Sequence, residues 1–224
     1  MALSNYTELK SSVANFLNRT DLSTEIQDDF IKLAEADFNA KLRIREMINA
    51  TNLTVNAETV ALPTGFLQVR DLYILQSNTK YPLRYVTPVQ MDQMSGTSTQ
   101  GLPNVYTILG SNLRFSPKPD QSYTAVLNFY KTFDALSSTN TTNFILTSHP
   151  AIYLYGSLFH AANFLGGVNP NQAATWQQMY ATALERLEQN DREDQFSGSP
   201  LQIRSEDTVA SRFNDNKSYI VTNN

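Results

Sequence analysis

The chain of 224 residues contains no cysteine. Disulfide bridges, thiolate metal sites and a cysteine nucleophile are excluded, and the fold must hold by burial alone in any redox compartment. Histidine is scarce. His149 and His160 are the two copies, and on one expected helix they stand about three turns apart, too far to share a metal ion. No His-Glu-x-x-His pattern surrounds them. With eight glycines, the chain carries no Gly-x-x-x-x-Gly-Lys phosphate loop, no Gly-x-Gly-x-x-Gly and no Gly-x-Ser-x-Gly elbow. Gly166-Gly167 closes a helical pattern where a phosphate site would need to open one. No apolar run approaches the roughly 18 residues of a membrane span, and the first residues lack the basic and apolar regions of a secretory leader. No membrane partner is expected. Lysine and arginine form no stripe: net charge is −4, divided as −2 over residues 1–48, +1 over 49–143 and −3 over 144–224. Sequence-specific nucleic-acid binding is therefore not expected.

The carboxylates do not converge locally. Glu35 and Asp37 sit two apart on an expected helix and so on different faces. Asp28-Asp29 falls in a first helical turn, where negative charge is favourable without any further role. Ser111 follows Gly110 in a hairpin turn. No catalytic residue, cofactor-binding residue or metal ligand is assigned, and no cofactor is expected.

What the chain does have is 41% apolar and 17% charged residues, enough for a substantial core. Residues 4–18 carry a helical stripe of Leu9, Val13, Phe16 and Leu17, with Ser4 or Asn5 as cap. Ser23 or Thr24 opens a second helix of about 22 residues striped by Ile26, Phe30, Leu33, Ala34, Phe38 and Leu42. Alternation then takes over. Strands are expected at 52–56, 59–62, 69–76, 80–86 and 122–131, and a hairpin around Gly110-Ser111 uses Val105, Ile108, Leu113 and Phe115 as its apolar positions. Thr87-Pro88 opens a short helix. Residues 136–143 read as a Ser/Thr/Asn linker. A third helix, capped by Ser148, buries Ile152, Tyr155, Leu158, Phe159, Ala162 and Leu165. A fourth starts at Asn169-Pro170 and buries Ala173, Trp176, Tyr180, Ala183, Leu184 and Leu187, with Trp176 expected at the centre of the core.

The expected fold class is α+β: a four-helix unit (residues 1–48 and 144–195) with a small antiparallel β-sandwich or barrel lobe (49–143) inserted between its halves. Residues 196–224 then form an extended C-terminal arm whose spaced apolar residues Leu201, Ile203, Phe213, Tyr219, Ile220 and Val221 are candidate docking anchors. One cluster breaks a local rule. Glu185, Glu188, Asp191, Glu193 and Asp194 crowd the C-terminal end of the fourth helix, where negative charge opposes the helix dipole. Broken rules concentrate at functional sites, so these five are a candidate acidic channel or partner face beside the plainer reading of a solvated helix end.

Several segments form an ordered set: Leu3-Ser-x-Tyr-Thr-Glu-Leu-Lys, Phe16-Leu-Asn-Arg-Thr-Asp-Leu22, Phe30-Ile-x-Leu-Ala-Glu-Ala36, Leu42-Arg-Ile-Arg-Glu46, Leu62-Pro-x-x-Phe66 with Asp71-Leu72, Pro82-Leu-x-Tyr-Val-Thr-Pro88, Gly101-x-Pro-x-x-Tyr106, Ser116-Pro-x-Pro-Asp120 and His149-Pro-x-x-Tyr-Leu-Tyr-Gly156. In this order they resemble tailed-phage head-to-tail adaptor proteins, in particular the tail tubular protein A group of short-tailed phages, over about residues 3–190. The resemblance implies a non-enzymatic virion component of the neck, assembled in the host cytoplasm. It implies a ring of twelve copies between the portal protein and the tail nozzle protein that continues the DNA channel. Two other readings stay open at this point. A virion-associated cell-wall glycan hydrolase would need a carboxylate pair in a cleft. A ligand-binding β module would need an apolar pocket with converging polar groups.

Overall fold

The computed structural model describes residues 3–94, 100–165 and 169–196, the side chain of Phe196 excepted. Helix α1 (Tyr6–Leu17) is capped by Asn5, whose Oδ1 accepts the Glu8 N–H at 3.0 Å, while Glu8 Oε2 reaches back to the Ser4 N–H at 2.9 Å. The helix ends at Asn18 in the left-handed region, φ 51°. A single turn α2 (Ser23–Glu25) then opens into a π turn over Ile26–Phe30 and continues as α3 (Ile31–Lys41). Neither Ser23 nor Thr24 caps it. Leu22 holds that position without a side-chain bond, and its carbonyl accepts the Ile26 N–H.

The π turn alters which face is buried. Its bond from the Ile31 N–H to the Ile26 carbonyl inserts one residue into the helical period. Ile31 and Glu35 consequently join Ile26, Phe30, Ala34, Phe38 and Leu42 in the interior, while Leu33 is 49% exposed. Phe16, expected inside, is 43% exposed.

The β lobe follows a 3-10 turn at Arg45–Met47. Its strands are β1 (Ile48–Val55), β2 (Thr59–Ala61), β3 (Phe66–Gln76), β4 (Thr79–Pro82), β5 (Arg84–Tyr85), β6 (Val105–Leu109), β7 (Asn112–Ser116) and β8 (Tyr123–Lys131), with helix α4 (Pro88–Met94) between β5 and β6. They form two open four-stranded sheets, ordered β1-β8-β3-β4 and β2-β7-β6-β5. The lobe is thus a sandwich and not a closed barrel. Nor is it wholly antiparallel, because β5 pairs parallel to β6. The single strand expected over 80–86 divides at Leu83: β4 turns back on β3 in the first sheet, and β5 crosses to the second. The β3–β4 turn places Ser77 and Asn78 at φ 48° and 64°, the two positive values of a tight hairpin. Leu72, Ile74, Ala125, Leu127 and Phe129 of the first sheet meet Leu113 and Phe115 of the second in the lobe's core.

The chain returns to the helices through α5 (Phe144–Ser148), capped by Asn143, and α6 (Pro150–Leu165); Ser148 is the last residue of α5 and does not cap α6. The sequence stripe underestimates α6. Tyr153, Leu154, Gly156, Ser157 and Ala161 are buried beside Ile152, Leu158 and Ala162, as befits a helix apolar almost all round. It is the centre of the helical core and packs on α1, α3 and α7 (Pro170–Phe196). Tyr153 and Phe38 meet edge-to-face there with centroids 4.8 Å apart. Trp176 is buried at 5% exposure but stands off this centre, lining a surface groove of about 300 Å³ with Phe16, Leu17, Arg19 and Leu165.

Candidate interaction surfaces

Two backbone crossings join the lobes, and polar side chains pin both. On the outward crossing, Arg43 Nη1 donates to the Asn39 carbonyl at 2.8 Å. The Arg45 N–H donates to Asp191 Oδ1 at 2.9 Å, and Arg45 Nη2 meets Asp194 Oδ2 at 2.9 Å. On the return crossing, the Phe133 N–H donates to Asn39 Oδ1 at 3.0 Å and the Leu136 N–H to Glu35 Oε1 at 2.7 Å. The Tyr153 hydroxyl also donates to Glu35 Oε1, at 3.0 Å, and Tyr6 N–H donates to the Thr141 carbonyl at 2.8 Å. The segment read as a polar linker is therefore held along the helical unit. Glu35 and Asn39, one turn apart on α3, do much of the holding.

Burial pushes the Glu35 carboxyl above the usual carboxylate range, opposed by the Leu136 N–H and the Tyr153 hydroxyl. Burial also drives the Tyr153 phenol up, with Glu35 adding to the shift. Tyr180 is raised in the same way, first by burial and then by donating to Asp37 Oδ2 at 2.8 Å. Burial lowers both His149 and His160. These groups are spread through the helical packing. Among the described residues no group of three or more His, Asp and Glu side chains is placed to hold a metal ion.

A cleft of about 270 Å³ lies where the lobes meet, lined in part by Glu46, Asn49, Lys131, Asp134 and Asn140. Its two carboxylates are already ion-paired, Glu46 with Arg45 at 3.4 Å and Asp134 with Lys131 at 3.2 Å. Glu35, the carboxyl lifted by burial, is not among its lining residues.

The five acidic residues of α7 divide. Asp191 is buried and accepts from Arg45 and, at 2.8 Å, from Gln195 Nε2; Asp194 also faces Arg45. Glu188 meets Arg192 at 3.4 Å, and Glu193 accepts from Gln189 at 3.0 Å. Glu185 is exposed. Sequence reading missed Glu35, Asn39 and Arg45, since their partners lie roughly a hundred or more positions away and leave no local signal.

Exposed large apolar side chains occur on both lobes: Phe16, Leu33, Phe164 and Met179 on the helices, and Leu75, Tyr81, Tyr85, Val89 and Leu109 on the sandwich and its short helix. The extremes are Val89 at 68% and Phe164 at 59%. The arm anchors Leu201, Ile203, Phe213, Tyr219, Ile220 and Val221 lie outside the described residues. No helix among the described residues is long and apolar enough to cross a membrane.

No curated protein matches the chain. A family model does: that of the SU10 adaptor protein, over residues 4–204. That span runs from the cap of α1 through both lobes to eight residues past α7. Membership implies a non-enzymatic role in the virion, in contact with other virion components. The chain belongs to the SU10 adaptor protein family and is a phage structural adaptor.

Proposed function

We propose that the protein assembles as a ring of twelve copies in the virion neck, in the manner of the tail tubular protein A group. The ring joins the portal protein to the tail nozzle protein and continues the DNA channel between them, after assembly in the host cytoplasm. The observation that carries this reading is the family match spanning both lobes. The two lobes are pinned at both crossings and expose apolar side chains on each. A ring subunit needs one surface for each neighbour and others for the components above and below. Two lobes with separate cores offer separate surfaces for that division.

The arm beyond residue 196 docks on the portal or a neighbouring subunit, with Phe213 and Tyr219–Val221 as its far anchors. The acidic side chains of α7 that face outward, Glu185 foremost, meet a basic partner or line the channel, where negative charge keeps the DNA backbone from adhering. Mixing the purified protein with the portal protein of its phage and imaging the product tests the ring: twelvefold particles are expected, and portal particles without added density overturn it. Deleting residues 197–224 is expected to weaken portal binding, and undiminished binding removes the arm from the proposal.

A further inference from the structure

β1 is an edge strand eight residues long, Ile48-Asn-Ala-Thr-Asn-Leu-Thr-Val55, that pairs with β8 and with no other strand among the described residues. It carries no charge and no proline. Natural sheets blunt such edges with lysine, proline, bulges or a covering segment, because an open ladder recruits other strands. The opposite edge of the same sheet is blunted. β4 is four residues long, contains Lys80 and ends at Pro82. Within this sheet the long unblunted edge is therefore that of β1.

The end of α7 lies beside the start of this strand. Asp191 and Asp194 hold Arg45, and Arg45 begins the 3-10 turn that leads three positions on, about 6 Å of rise, to Ile48. Four residues after Phe196, Ser197-Gly-Ser-Pro200, the sequence reads Leu201-Gln-Ile-Arg204. Phe196 and Leu201 are five Cα steps apart, at most about 18 Å, a tether long enough to let Leu201 turn back toward β1. The alternation also fits. On β1, Thr51, Leu53 and Val55 face inward, Leu53 and Val55 against the sandwich core, while Asn52 and Thr54 are exposed. An added strand with Leu201 and Ile203 inward and Gln202 and Arg204 outward continues both faces. The family match ends at residue 204 and so takes in this segment but not the twenty residues beyond it.

We propose that residues 201–204 add to the free edge of β1 in the same chain, extending the sheet to five strands and leaving residues 205–224 as the part of the arm available to partners. The inference concerns the free subunit and does not depend on ring formation. The absence of native cysteine gives a clean test on the full chain. Gln202→Cys is combined in turn with Ala50→Cys, Asn52→Cys and Thr54→Cys, and with Lys80→Cys on the opposite edge as control. A disulfide requires Cα atoms within about 7 Å. The expected result is a monomeric, internally bridged chain for one of the three β1 pairs and none for Lys80. No bridge, or one equal to the control, overturns the proposal. A bridge between two chains also overturns it and assigns the edge to a second copy's arm. As a measurement that needs no engineered bridge, Leu201→Asp/Ile203→Asp is expected to speed amide exchange along β1 at least tenfold while α6 amides keep their rates. Unchanged β1 exchange overturns the proposal.

Discussion

The backbone N–H of Arg45 donates to Asp191 Oδ1 at 2.9 Å across 146 positions of sequence. Asp191 is buried at 8% exposure, whereas the neighbouring Asp194, which meets the Arg45 guanidinium, has a side chain 58% exposed. The two carboxylates should therefore behave differently. Asp191→Ala leaves a donor at the lobe junction without its acceptor and is expected to cost about 1–3 kcal/mol. Asp194→Ala is expected to cost less than about 1 kcal/mol, as exposed ion pairs do. Urea unfolding of the two variants checks the order, and equal losses would mean that Asp191 does not act through the Arg45 amide.

Glu35 gives the helical unit a pH signature. Its carboxyl titrates above the ordinary range in the folded chain because it is buried. Folding therefore favours its protonated form. Its contribution to stability is fully present below the ordinary glutamate value and is lost as pH rises through the raised value. Glu35→Gln keeps an oxygen for the Leu136 N–H and removes the titration. The variant should gain stability relative to the parent between pH 4 and pH 8, read from unfolding midpoints at each pH. A parallel pair of curves would show that Glu35 does not shift on folding.

Gly156 sits where α3, α6 and α7 meet. A Cβ there would lie 3.2 Å from both Ala34 Cβ and Tyr180 Cε2. Helix propensity favours alanine by about 1 kcal/mol, but overpacking costs about 1–3 kcal/mol. Gly156→Ala is expected to lower stability by about 1 kcal/mol, and the double variant with Ala34→Gly to lose less than the sum of the two single losses. Additive losses in the double variant would place the strain elsewhere.

Two glycines with positive φ separate backbone strain from steric clash. Gly110, φ 58°, has open space where a Cβ would stand, whereas at Gly65, φ 74°, a Cβ would fall 2.8 Å from Thr132 Oγ1. Gly110→Ala should cost about 1–2 kcal/mol from the left-handed backbone alone, and Gly110→Asn less. Gly65→Ala should cost more than Gly110→Ala, because Thr132 must move as well. Thermal unfolding of the three variants orders them.

Much of the architecture was legible from periodicity. Leu9 and Val13 of α1, Trp176, Tyr180, Leu184 and Leu187 of α7, the Gly110 hairpin and the inward row Tyr123, Ala125, Leu127 and Phe129 all follow from local pattern. What local pattern could not carry was partnership. Residues 80–86 read locally as one strand, yet Leu83 sends the two halves to different sheets, because pairing depends on β3 and β6 rather than on the segment itself. Leu33 and Glu35 exchanged places because a π turn upstream shifts the helix face without leaving a composition signal. The acidic end of α7 stood out in sequence, but its tie to Arg45 belongs to the folded chain.

Pinning both crossings has a mechanical consequence. Both bonds tie a crossing segment to the helical unit, Arg45 to α7 and Leu136 to α3, so the backbone left free to bend between the lobes is the short stretch before β1 and the one after β8. Any hinge between the two lobes is thereby narrowed to a few residues on each crossing.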